Sequence, residues 1–109
     1  MSEAEIRAEI RKMVERIVEQ FQPRKVILFG SHAREAGTED SDVDLLVVMP
    51  VKGSKRRQAS EIDRALADRL LPLDLIVVTP EEFDRYKDVA GHILYPAVRE
   101  GKVLHDAAA

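Results

Sequence analysis

Between the apolar runs Val43–Met49 and Leu73–Val78 the chain carries a stretch of helix length, and this spacing constrains the fold more than any other feature of the sequence. Two strands joined through a helix are expected to run parallel, with a right-handed crossover. The linking helix is expected from Ser54 to about Leu70, with Ala59, Ile62, Leu66 and Leu70 facing inward at helical spacing. A third β-rich run, Lys25–Phe29, is closed by Gly30. Ahead of it, Ile6, Ile10, Met13, Val14, Ile17, Val18 and Phe21 recur with helical spacing, charged residues take the other face, and Pro23 ends the segment. Thr79-Pro80-Glu81-Glu82 reads as a helix start with Thr79 as N-cap. A last helix is expected to end near Gly101, before a short strand at Lys102–Leu104. The order predicts an α/β (α+β) fold, a mixed sheet with helices packed on it, as one domain over residues 1–109.

Composition removes several classes of function. With 45% hydrophobic and 34% charged residues, a folded domain is expected rather than a disordered chain. The formal net charge of -3 gives no global case for direct nucleic-acid binding, which calls for a basic face. There is no cysteine, which rules out disulfides, zinc thiolates and cysteine nucleophiles. The N-terminus lacks the apolar stretch of a signal peptide, and no run is long enough to span a membrane, so a cytoplasmic protein is expected.

The residues that suggest chemistry are few. In Asp42-Val43-Asp44 strand alternation aims both carboxylates one way while Val43 enters the core. Like charges on one face repel unless a cation lies between them, and hard divalent cations such as Mg²⁺ favour oxygen ligands shared with phosphates. Alone, the pattern is more often a polar strand start after an acidic loop. A calcium loop is excluded, because its sixth position is Leu45 and its twelfth Val51. Gly30-Ser31 lets backbone approach a ligand where the chain turns toward a helical start, a place suited to phosphate. It is no Walker loop, since no lysine stands at the required spacing. Asp74 lies in an otherwise apolar strand, on the face of Ile76 and Val78. Parallel pairing brings it beside Asp42 and Asp44, and Gly30 joins them if the first strand is antiparallel to the second.

Leu28-Phe29-Gly30-Ser31, ten residues, then Asp42-Val43-Asp44-Leu45 resembles the signature of the DNA polymerase β nucleotidyltransferase superfamily. The similarity is greatest to its minimal nucleotidyltransferase (MNT) branch, antitoxin-type proteins paired with HEPN toxins, and it covers essentially the whole chain. Arg34 matches a frequent arginine of that family, whereas His32 stands where arginine is common and Glu35 where glycine is common. The resemblance implies a Mg-ATP-dependent transferase in which Asp42, Asp44 and Asp74 bind two Mg²⁺ ions. Asp74 also serves as general base, and Gly30, Ser31 and Arg34 hold the nucleotide. The implied acceptor is a tyrosine of a HEPN-type partner, which receives AMP. A small-molecule nucleotidyltransferase and a non-catalytic binding antitoxin are the competing readings.

Other residues carry blander expectations. His32 is expected on a solvent-facing loop, and His92 and His105 in structural roles. Lys52, Lys55, Arg56 and Arg57 read as a solvated loop, and Tyr86 and Tyr95 as packing residues. The N-terminal stripe faces the core, with part of it available to an oligomer.

Overall fold

A computed structural model describes all 109 residues. The first helix, α1 (Glu3–Phe21), opens on a capping box between Ser2 and Glu5, and Gln22 ends it in the left-handed region (φ 49°) just before Pro23. Its inward stripe is the expected one, with Ile6, Ile10, Met13, Val14 and Ile17 buried. One charged residue joins them. Glu9 is buried, and its Oε2 accepts the Leu70 N–H at 2.8 Å.

The strands are β1 (Lys25–Phe29), β2 (Val43–Val48), β3 (Leu73–Val78) and β4 (Lys102–Asp106), in the order β3-β2-β1-β4. The pair β2–β3 is parallel, as the intervening helix requires, while β1 is antiparallel to both β2 and β4. The linking helix, α2 (Lys55–Ala65), begins at the expected cap, where Ser54 Oγ accepts the Arg57 N–H at 3.0 Å. It stops five residues earlier than its periodicity suggests. Leu70 is 69% exposed and Leu71 is buried in its place. Pro72 keeps Leu71 out of helical backbone, and the chain leaves α2 through turns at residues 66–68. Arg16 holds the frayed end by donating to the Ala65 carbonyl at 3.2 Å and pairing with Asp68.

Thr79 caps α3 (Pro80–Tyr86) in a second capping box, with Glu82, and α4 (Leu94–Glu100) ends at Gly101. The last strand runs two residues past the expected Leu104 because Asp106 still pairs with Lys25, after a bulge at Leu104. No helix is long and apolar enough to cross a membrane.

Alternation along β2 divides the core in two. Val43, Leu45 and Val47 pack with α1 and α2, while Leu46 and Val48 pack with Phe83 of α3 and Leu94 and Ala97 of α4. The sheet is therefore covered on both faces, which accounts for the nearly continuous apolar runs of its central strands. Asp44 belongs by alternation to the α3–α4 face, at the end of the sheet where that cover gives out.

Candidate active site

Because β1 is antiparallel to β2 and β2 is parallel to β3, the C-terminal end of β1 meets the N-terminal ends of β2 and β3. Asp44 stands at the centre of this junction, in register with Phe29 on one side and Asp74 on the other. Asp74 alternates with Ile76 and Val78, so both carboxylates share one face. Asp42 lies just before β2. Asp42 and Asp74 are exposed, and Asp44 is half-buried. Burial pushes the Asp44 carboxyl above its ordinary value, the negative charges of Asp74 and Asp42 add to the effect, and His32 and Arg34 oppose it.

Several acidic groups of the chain have cationic partners. Glu9, Glu35, Asp63, Asp68 and Glu82 each pair with a lysine or arginine. Asp42, Asp44 and Asp74 form neither an ion pair nor a side-chain hydrogen bond. An all-oxygen cluster with no cationic partner, in which burial and like charge push the central Asp44 carboxyl above its ordinary value, suits a hard divalent cation. No three acidic or histidine side chains converge closely enough to hold an ion as they stand.

The turn after β1 completes the junction. Gly30 has φ +74°, and a Cβ on it would fall 2.0 Å from Oδ2 of Asp44. Glycine is thus required twice, by its backbone and by the approach of the carboxylate. Residues 31–35 form successive turns rather than a regular helix. Ala33 N–H donates to Gly30 O at 3.1 Å and Ala36 N–H to Ser31 O at 2.9 Å, while the amides of Ser31 and His32 donate to no acceptor in the chain. Such open amides at the start of a helical turn suit an anion. Arg34 is exposed and unpaired, with its charge felt at Asp44. Gly30→Ala is expected to lower stability by about 1–2 kcal/mol, the scale of left-handed backbone strain, and to displace the Asp44 carboxylate. Denaturant unfolding measures the first effect; a variant as stable as the wild type would show that the turn relaxes freely.

Residues 10–98 match the family of the nucleotidyltransferase domain. The chain belongs to that family. In fold the nucleotidyltransferase domain is similar to a candidate nucleotidyltransferase from Sulfolobus solfataricus, with 20% identity and a TM-score of 0.66 over 97% of this chain and 85% of that one. It is also similar to a structure of a toxin-antitoxin with AMP-PNP, at 17% identity and a TM-score of 0.56 over 88% and 73% of the two chains. No curated protein matches by sequence.

Two residues that stand apart from the family pattern prove instructive. His32 is not on a solvent-facing loop: it is buried, and Nε2 lies 3.2 Å from the Ser41 carbonyl. Its polar ring and its place in a charged loop hid this, because the partner is a backbone atom nine residues away. Glu35 sits at φ +59°, which explains why glycine suits that position. Its charge is directed to Lys102 at 3.2 Å. The remaining expectations meet ordinary contacts. Tyr86 stacks on His92, Arg99 lies 3.7 Å over the Tyr95 ring, and His105 Nε2 lies 3.2 Å from the Pro23 carbonyl. Lys55 pairs with Glu82, while Lys52, Arg56 and Arg57 are exposed. A groove of about 580 Å³ lies between α1, the start of β4 and the loop residues His32, Glu35 and Gly37, and none of the three carboxylates lines it.

Proposed function

We propose that the domain transfers AMP from Mg-ATP to a tyrosine hydroxyl of a HEPN-type toxin partner, as the antitoxin of the pair. The observation that carries this reading is the central position of Asp44, between the Gly30 turn and Asp74, in a cluster of carboxylates without cationic partners. Asp42, Asp44 and Asp74 are the groups that would hold two Mg²⁺ ions. When bound, these ions supply charge neutralisation of the triphosphate and of the leaving pyrophosphate.

The chain's own residues do the rest. The open amides after Gly30, with the Ser31 hydroxyl, donate to phosphate oxygens, and Arg34 adds a positive charge that no acidic side chain neutralises. Asp74, exposed at the edge of the cluster, takes the proton of the acceptor hydroxyl. The hydroxyl oxygen forms a bond to the α-phosphorus, the bond from that phosphorus to the bridging oxygen breaks, and pyrophosphate leaves. A tyrosine hydroxyl is a weak nucleophile until its proton is removed, so a base beside the phosphate is needed.

Two further features support a protein acceptor. The carboxylates lie on an open end of the sheet, which a docking surface can reach and a small molecule cannot be enclosed by. A similar fold occurs in a toxin-antitoxin with AMP-PNP. Placing a charged nucleotide on a partner near a nuclease site would block RNA by bulk and by repulsion. The test is mass spectrometry of the domain incubated with a HEPN partner, ATP and Mg²⁺. A gain of one AMP on a partner tyrosine, absent with Asp42→Asn, is expected. Inhibition without modification would replace transfer by binding alone, and failure to bind any such partner would favour a small-molecule acceptor.

A further inference from the structure

The loop from Gly30 to Asp42 carries site groups at both ends and no helix or strand between them. It is built of two separate turns. Residues 30–36 form the first, closed by the Ala33 and Ala36 amides. Residues 38–41 form the second, closed by Ser41 N–H to Thr38 O at 3.0 Å and Thr38 N–H to Ser41 Oγ at 3.1 Å. His32 supplies the hydrogen bond that joins the two turns, from a buried ring to the Ser41 carbonyl at 3.2 Å. A carbonyl only accepts, so Nε2 carries the proton. Gly37 forms the seat of the ring. A Cβ there would lie 2.3 Å from Nδ1 and 2.6 Å from Cε1, so any side chain at 37 displaces the imidazole.

We propose that His32 is a positioning residue of the transferase site, tying the phosphate-side turn to Ser41 and so fixing where Asp42 stands beside Asp44. The inference rests on the transferase reading of the carboxylate cluster. Asp42 is exposed, and its side chain makes no bond of its own. Its position therefore depends on the backbone that delivers it, which is anchored on one side by Val43 N–H donating to Pro72 O at 2.8 Å and on the loop side by the Ser41 carbonyl. Groups that orient ligands without touching the ion change metal affinity by about 10- to 100-fold. A histidine that merely fills the core would leave cation affinity unchanged when replaced by an apolar residue of similar size.

The experiment compares His32→Leu, which keeps bulk without a donor, with His32→Gln, whose amide can donate from nearly the place of Nε2. Gly37→Ala crowds the ring from the opposite side; Gly37 lies outside the left-handed region, so alanine meets no backbone strain there. The first readout, NMR-detected amide exchange at residues 38–43, needs no activity. The second is the Mg²⁺ midpoint of ATP binding by calorimetry. His32→Leu and Gly37→Ala are expected to speed exchange and to raise the Mg²⁺ midpoint by about 10-fold, with His32→Gln close to wild type in both. If His32→Leu does not fold, Gly37→Ala carries the comparison. Unchanged exchange overturns the proposal. Faster exchange at an unchanged Mg²⁺ midpoint also overturns it, leaving a loop brace without a role at the site. A wild-type protein that binds no ATP with Mg²⁺ would overturn the transferase reading itself, a failure distinct from either of these.

Discussion

Asp74→Asn is expected to lower AMP transfer by about 100-fold or more, the scale of a lost general base, while ATP affinity with Mg²⁺ stays within a few-fold of wild type. The two effects separate because of geometry. Asp74 is exposed and stands across the β2–β3 pairing from Asp44, on the outer strand of the cluster, whereas the Gly30 turn lies on the other side of Asp44. A group placed there can meet an incoming hydroxyl and has less contact with the triphosphate. Asparagine keeps the size and a carbonyl oxygen toward the cation but removes the negative charge, and with it the capacity to take a proton. Initial rates of transfer and calorimetric ATP titration give the two numbers. Transfer near the wild-type rate would make Asp74 a bystander of the site; an equal fall in affinity would make it chiefly a cation ligand.

The double variant Asp42→Asn with Asp44→Asn is expected to lose Mg²⁺-dependent ATP binding by at least about 100-fold, beyond the range set by groups that only orient ligands. Unchanged binding would place the nucleotide elsewhere, for instance in the groove between α1 and β4. Asp44→Asn by itself has a second consequence. Burial and the charges of Asp74 and Asp42 raise the Asp44 pKa in the folded protein above its value in the unfolded chain. The folded state then holds the proton more tightly. Ionised Asp44 therefore lowers stability, and the loss develops as pH rises from the ordinary carboxylate range through the raised folded value. Asp44→Asn is expected to stabilise the protein without cation at neutral pH, and the difference from wild type is expected to shrink on acidification. Denaturant unfolding of both proteins across that range measures this. The comparison with the variant matters because Asp68 and Glu82 have lowered pKa values and give the opposite trend in both proteins. For the same reason, Mg²⁺-dependent ATP binding should fall on acidification sooner than an ordinary carboxylate would dictate. The site is thus expected to be a strained arrangement of charge that its cation relieves, which links its chemistry to a measurable cost in stability.

The amino-acid sequence alone determined the parts of this protein that depend on local pattern. The apolar period of α1, the Ser54 and Thr79 caps, and the strands β1, β2 and β3 follow from side-chain spacing and turn chemistry within a few residues of each element. The parallel β2–β3 pair follows from the helix between them, and with it the meeting of Asp44 and Asp74. The junction of Gly30 with Asp44 was legible too, on the condition of an antiparallel β1, which the fold meets.

Tertiary structure decided what depended on atoms distant along the chain. Helix α2 could not be ended from its own periodicity, since Leu70 continues the apolar spacing. Beyond Ala65 the exit is held by Arg16 and Glu9 of α1, which take up the Ala65 carbonyl and the Leu70 N–H. The last two residues of β4 exist as strand because β1 offers them partners. His32 is buried because Gly37 leaves space for its ring and Ser41 presents a carbonyl. Neither fact is written in the period of the loop. Local spacing encodes which side chains share a face. Which polar groups are taken from water, and what receives their hydrogen bonds, is settled only when segments far apart in the chain pack together.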